Sequence, residues 1–190
     1  MRRLIGFLFA AVLTLSVAQA DTGPDADTIA LFKNAGASAG FFGNCYGYAV
    51  FPSVGQGALV VGGAYGTGRV YEQENYVGDV SMTQVSIGFQ AGGKAYSMIV
   101  FLEDKRAFDE FTGGNYEFGA DATAVAITAA ASAQAGTTGA NSGASGGMKD
   151  ATTSGRYYKG FAVFTIVKGG AMVQAAVAGQ KFKYTPRSRS

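Results

Sequence analysis

The stretch VFPSVGQGALVVGGAYGTGRVY, residues 50–71, decides how the rest of the chain reads. Gly63, Gly66 and Gly68 carry something close to the spacing of a nucleotide-binding loop. A dinucleotide fingerprint, however, runs G-x-G-x-x-G from a strand into a helix, whose N terminus supplies unpaired N–H groups to the phosphates. Here the glycine order is reversed, and the RVYEQ that follows is strand-like. No Gly-Lys-Ser/Thr closes the run as a Walker loop would. The glycines therefore read as bulges, bends or close backbone approaches inside a sheet, with strands over residues 58–61 and 69–71 around a glycine-rich bend.

Upstream, DADTIALFKNAG offers Asp25 as an N-cap, Ile29 and Phe32 on one face and Gly36 as a stop, which predicts a short amphipathic helix. Downstream, DVSMTQVSIGFQAGG shifts its apolar parity between Met82 and Val85, and a β-bulge near Gln84 would restore one face. AYSMIVFL is continuously apolar and reads as a strand covered on both sides. In EDKRAFDEFTGG, Asp104 caps a helix with Ala107, Phe108 and Phe111 on one stripe and Gly113 at its end. NYEFGADATAVAI returns to strand-like alternation. Residues 128–155 are almost wholly Ala, Gly, Ser and Thr, too little apolar surface to offset ordering, so a mobile loop is expected. YYKGFAVFTIVKGGAMVQAAVAGQKFKY then supplies two or three antiparallel strands broken at Gly169-Gly170 and Gly179. The fold class expected is α+β, mostly antiparallel β as a sandwich or barrel-like sheet, with a short N-terminal amphipathic helix and one internal helix.

The first twenty residues, MRRLIGFLFAAVLTLSVAQA, place Arg2 and Arg3 before an apolar run and end on Ala-Gln-Ala, the pattern of a secretory signal peptide. Export to the periplasm or cell envelope follows as an expectation. Cys45 is the single cysteine, so no internal disulfide forms, and it reads as a small buried hydrophobe. Of fifteen basic residues two lie in the signal, which leaves thirteen against thirteen acids and disfavours a nucleic-acid binder. The last ten residues, KFKYTPRSRS, are basic without an acid and could meet an anionic surface.

Catalytic chemistry has few players. The chain has no histidine, which removes the commonest general base, the serine triad and most zinc sites. Asp121, in FGADAT, is the most interesting acid and suits a turn or cap. Asp21, Asp25 and Asp27 lack the glycine and distal glutamate of a calcium loop. No enzyme activity, metal or cofactor is expected.

Three blocks, YAVFPSVGQGALVVGGAYGTGRVY, SIGFQAGGKAYSMIVFLEDKRAFDEF leading into FGADATAVAI, and YYKGFAVFTIVKGG, together resemble the SYLF family of lipid-binding domains. The resemblance implies a single, mostly β domain that binds anionic phospholipid. Eukaryotic members bind phosphoinositides and work at membranes and actin structures. With an export signal and no SH3 module in this sequence, actin is not expected as a partner. The organisation expected is a signal over 1–20, a helix and linker over 21–44, the SYLF-like domain over 45–186 with its low-complexity loop, and a basic tail over 187–190. The residues expected to meet lipid are Ile29 and Phe32 by insertion, and Lys33, Lys105, Arg106, Lys181 and Lys183 by charge. The rival expectation is a structural outer-envelope protein or a small membrane β-barrel, which glycine-rich alternating strands permit.

Overall fold

The glycine-rich stretch lies at the centre of one continuous sheet. The computed structural model describes residues 24–57, 63–85, 94–119, 122, 124–127, 156–168 and 179–188. Helix α1 spans Pro24–Asn34 and a further short helix, α2, spans Gly36–Ala39. Strands β1 (Gly47–Gly57), β2 (Gly63–Glu72), β3 (Asn75–Val85) and β4 (Lys94–Leu102) follow, then helix α3 (Lys105–Thr112). Strands β5 (Asn115–Glu117), β6 (Ala124–Ile127), β7 (Phe161–Lys168) and β8 (Gln180–Pro186) complete the chain order. The eight strands form a curled half-barrel in the order β5-β8-β3-β2-β1-β4-β7-β6. Every pairing is antiparallel except β6 with β7. The expected mostly antiparallel α+β fold is what the chain adopts, with α2 as an addition: Gly36, read as a stop, opens a second helical turn after a break at Ala35.

Curling brings the two ends of the sheet together on its inner face. Tyr116 of β5 stacks on Phe161 of β7 with ring centroids 4.8 Å apart, and Phe118 meets the same ring edge-on at 5.8 Å. Phe51 and Phe182 approach across the interior at 5.8 Å. Helix α3 packs against this inner core through Ala107, Phe108 and Phe111, capped by Asp104, which accepts from the Ala107 N–H at 2.8 Å.

Gly66 and Gly68 are not bends. They point inward from the middle of β2, where β1 bulges between Val50 and Ser53. The bulge holds Pro52, whose missing N–H suits a bulge better than a regular central ladder, and the Pro52 carbonyl accepts from Ser97 Oγ at 2.8 Å. A Cβ on Gly68 would overlap the Val50 carbonyl oxygen, and one on Gly66 would lie 2.8 Å from Val54 Cγ2. The glycines are required by the close approach of β1. Residues 58–61, read as strand, and residues 128–155 and Asp121 lie outside the described residues.

One other expectation is corrected. No bulge occurs at Gln84, which keeps the regular alternation of Val80 and Met82 and is buried facing inward, beside Gln180 across the β3–β8 ladder. A polar pair substitutes there for the apolar residue that the pattern demanded. Strands β7 and β8 lie in opposite halves of the sheet, β7 between β4 and β6, β8 between β3 and β5.

Gly68→Ala should lower the unfolding free energy by about 2–3 kcal/mol, as overpacking against backbone does. Gly55→Ala, where a Cβ would meet nothing within 4 Å, should stay within about 0.5 kcal/mol. Urea denaturation of the two variants measures both.

Candidate lipid-binding face

The outer face of the sheet divides into an apolar and a polar part. Over β1, β4 and β7 the outward residues Tyr48, Val50, Ile99, Phe101, Phe164 and Ile166 are covered by α1, α2 and the turn after them, with Phe32, Phe41 and Phe42 as the covering side chains. Over β2, β3 and β8 the outward residues are left in water, apart from Tyr71, which stacks on Tyr48 within the covered cluster. Strict alternation sets Thr67, Ser81 and Lys183 in one cross-strand row that Ser53 and Asn115 extend at either end. The neighbouring row holds Tyr65, Thr83 and Lys181, and a third holds Arg69, Asp79 and Thr185. This is the usual arrangement of an antiparallel sheet with one face partly solvated. It gathers cations from β2 and β8 beside Tyr65, an aromatic ring that is 57% exposed.

Where the polar rows run under α1, a groove of about 570 Å³ opens between the helix start and the sheet. Its edge is fixed by Asp25, 4% exposed, whose Oδ2 lies 3.1 Å from Arg69 Nε and accepts from Tyr71 Oη at 3.4 Å. Asp25, read as a helix cap, thus spends its carboxylate on tying α1 to β2. Tyr76 sits between Arg69 and Arg187, whose guanidinium carbons lie 5.3 and 5.2 Å from the ring centroid, and donates to Asp79 Oδ1 at 2.8 Å. Burial and that hydrogen bond raise the Tyr76 phenol above its ordinary value, so it remains a donor at neutral pH.

The residues expected from sequence to meet lipid fall into separate places. Lys181 and Lys183 stand on the exposed outer rows of β8; Lys181 pairs with Glu117 at 3.6 Å, and Lys183 has no salt bridge among the described residues. Phe32 is fully buried beneath α1 and Ile29 packs against the same cluster, so neither is presented for insertion in this conformation; the large apolar side chain that α1 exposes among the described residues is Leu31. Lys33 pairs with Glu74 at 3.3 Å and lies over the Phe42 ring. Lys105 pairs with Asp109 at 2.6 Å and Arg106 with Glu110 at 3.1 Å, both on α3, which belongs to the inner-face core. Asp79 and the hydroxyl row escaped the sequence reading. Their signal was the polar half of the alternation in YGTGR, DVSMTQ and KFKYT, which marks an outward face once the inward partners are known.

Asp25→Ala should loosen α1, because it removes the buried carboxylate that holds the helix start to Arg69 and Tyr71 of β2. Hydrogen exchange at the α1 amides is expected to quicken at least tenfold. Lys105→Ala, which removes an exposed pair, should change stability by less than about 0.5 kcal/mol. Cys45 gives a pH test. It is half-buried, and desolvation, only partly offset by a backbone hydrogen bond, lifts its thiol from 9.0 to about 11. Alkylation by iodoacetamide should therefore rise about tenfold per pH unit from pH 8 to 10 without levelling. Because the unfolded chain loses this proton first, the contribution to stability is complete below about pH 9 and is lost as pH climbs toward 11.

Comparison with known proteins agrees with this architecture. Residues 83–186, more than half of the chain, match the family described as Ysc84, Las17-binding protein actin regulator. The curated protein Beta cell expansion factor A of Aeromonas veronii is 25% identical over 170 residues, 85% of this chain and 54% of that protein. The chain thus spans about half the length of the curated relative it matches. On the family match the chain belongs to the SYLF (Ysc84) family, a membership that supports a lipid-binding or membrane-associated role.

Proposed function

We propose that this chain is a non-catalytic domain, exported to the periplasm or cell envelope, that binds anionic phospholipid reversibly at a membrane surface. The observation that supports it is the solvated sheet face whose successive rows carry Lys181 with the exposed ring of Tyr65, then Lys183, then Arg69, with Arg187 at its end beside Tyr76. Basic residues near an anionic bilayer contribute about 1 kcal/mol each; with Lys181 paired to Glu117 and Arg69 to Asp25, Lys183 and Arg187 carry most of an attraction that stays reversible. An aromatic ring with a polar tip suits the interfacial zone of a bilayer. Chemistry is not part of the proposal: a chain without histidine lacks the commonest general base, and Asp25, the most buried carboxylate of the groove, is engaged by Arg69 and Tyr71.

A membrane barrel requires an apolar outward band and a polar lumen. Among the described residues the order is the opposite over β2, β3 and β8: Phe182, Met82 and Val80 point inward, and Thr67, Ser81, Thr83 and Lys183 point outward. The peripheral reading fits these side chains better than the barrel.

Flotation with vesicles of phosphatidylglycerol in phosphatidylcholine tests the proposal. Binding is expected at low salt and should weaken as salt rises through the physiological range. Lys181→Gln with Lys183→Gln should reduce the low-salt affinity by about tenfold or more. Absence of binding at low salt refutes the reading.

A further inference from the structure

A surface that attracts anions only by charge needs cations and nothing else. The groove beside α1 is built differently. It holds two cations, Arg69 and Lys183, and two carboxylates, Asp25 and Asp79, so its formal charge sums to zero. Asp25 is engaged by Arg69 and Tyr71 and sets the guanidinium in place. Asp79 accepts from Tyr76 on Oδ1, and its Oδ2 has no partner among the described residues. A carboxylate only accepts hydrogen bonds, so what it takes from a ligand is a donor. Asp79 faces Arg69 directly across β2 and β3, and in the adjacent row the hydroxyls of Thr67 and Ser81, with Lys183 beyond them, are in register on neighbouring strands and able both to donate and to accept.

We propose that this groove seats a phosphate ester carrying a hydroxylated head, such as the phosphoglycerol of a lipid, with the phosphate toward Lys183 and Arg69 and the head hydroxyls toward Asp79, Thr67 and Ser81. The two halves of such a ligand match the two chemistries of the groove. A bare anion would use the cations and the donor side of the hydroxyls, but would meet the negative charge of Asp79 without compensation. A head group ending in an ammonium would satisfy Asp79 but draw nothing from the donor side of the hydroxyl row. The groove's volume of about 570 Å³ is within the range of small-ligand sites. The inference rests on the lipid-binding reading above and sharpens it from attraction of anions to selection of a polyol head.

The test compares vesicles containing phosphatidylglycerol with vesicles containing phosphatidylethanol at equal mole fraction. Both lipids carry one negative charge, and only the first has head-group hydroxyls. Wild-type protein is expected to bind phosphatidylglycerol about tenfold more tightly, the worth of one hydrogen bond to a charged acceptor. Asp79→Asn with Ser81→Ala should erase that preference while leaving phosphatidylethanol binding in place, which also shows that the variant is folded. Lys183→Gln should weaken both.

Equal binding of the two vesicles by wild-type protein, or a preference that survives Asp79→Asn with Ser81→Ala, overturns the groove assignment and leaves the electrostatic reading standing. Binding to neither vesicle at low salt overturns both. Soluble glycerol 1-phosphate and inorganic phosphate distinguish the source of the ester: amide shifts around the groove with glycerol 1-phosphate support the seat. Equal shifts with inorganic phosphate, and no lipid preference, overturn it in favour of a simple anion site.

Discussion

The rest of the structure depends on the contact that closes the sheet on itself. Tyr116 and Phe118, beside one edge, meet Phe161 near the other, with Phe182 and Phe111 packed behind them. An eight-stranded sheet left open would expose a long apolar face; curled, it buries that face against its own far end and against α3. Offset-stacked and edge-on aromatic pairs contribute beyond their buried area, by about 0.5–1.5 kcal/mol each. Because the partners come from β5, β7 and β8, the seam also ties together the most distant pairings of the fold. Such non-local closure is associated with slow folding.

Closure on the inside dictates what the outside can be. Once Val80, Met82, Phe182 and their neighbours face inward, period-two alternation commits Thr67, Ser81 and Lys183 to the outer surface. Helix α1 covers only the apolar part of that surface and stops where the polar rows begin. Asp25 and Arg69 mark the boundary. The same ion pair both holds the helix down and orients a cation at the edge of the groove, so packing and candidate chemistry share one contact.

How much of this was legible in the sequence depends on how local each cause is. Helix α3 was plain, because its cap, stripe and terminal glycine all lie within a dozen residues. Strand β4 was plain too, since residues covered on both faces read as an unbroken apolar run. The two-residue turn between β2 and β3 carried no glycine or asparagine signal; Gln73 and Glu74 adopt left-handed backbone with φ of 46° and 69°, and the Gln73 N–H donates to the Tyr46 carbonyl. Gln84 misled because a polar residue inside is tolerated only when a polar neighbour lies across the ladder, and Gln180 is far away in sequence. The binding face was least legible of all. Its lysines on β8 were noticed as a basic tail, but their neighbours on β2 and β3 become neighbours only through sheet order. Lys33, Lys105 and Arg106 looked equally available, yet each is paired with a carboxylate that folding or helical spacing supplies.

The single parallel pairing among the described residues, β6 against β7, places a topological demand on the chain between them. Antiparallel neighbours can be joined by two residues, but parallel ones need a crossover of a dozen or more, long enough to carry the chain back along the strand. In register, Ala124 opposes Val163 and Ile127 opposes Ile166, so the chain leaving Ile127 must return to the start of β7 before it can pair. In the sequence 33 residues separate Ile127 from Phe161, ample for such a crossover; cutting that span to a hairpin turn would force β6 to reverse direction or leave the sheet.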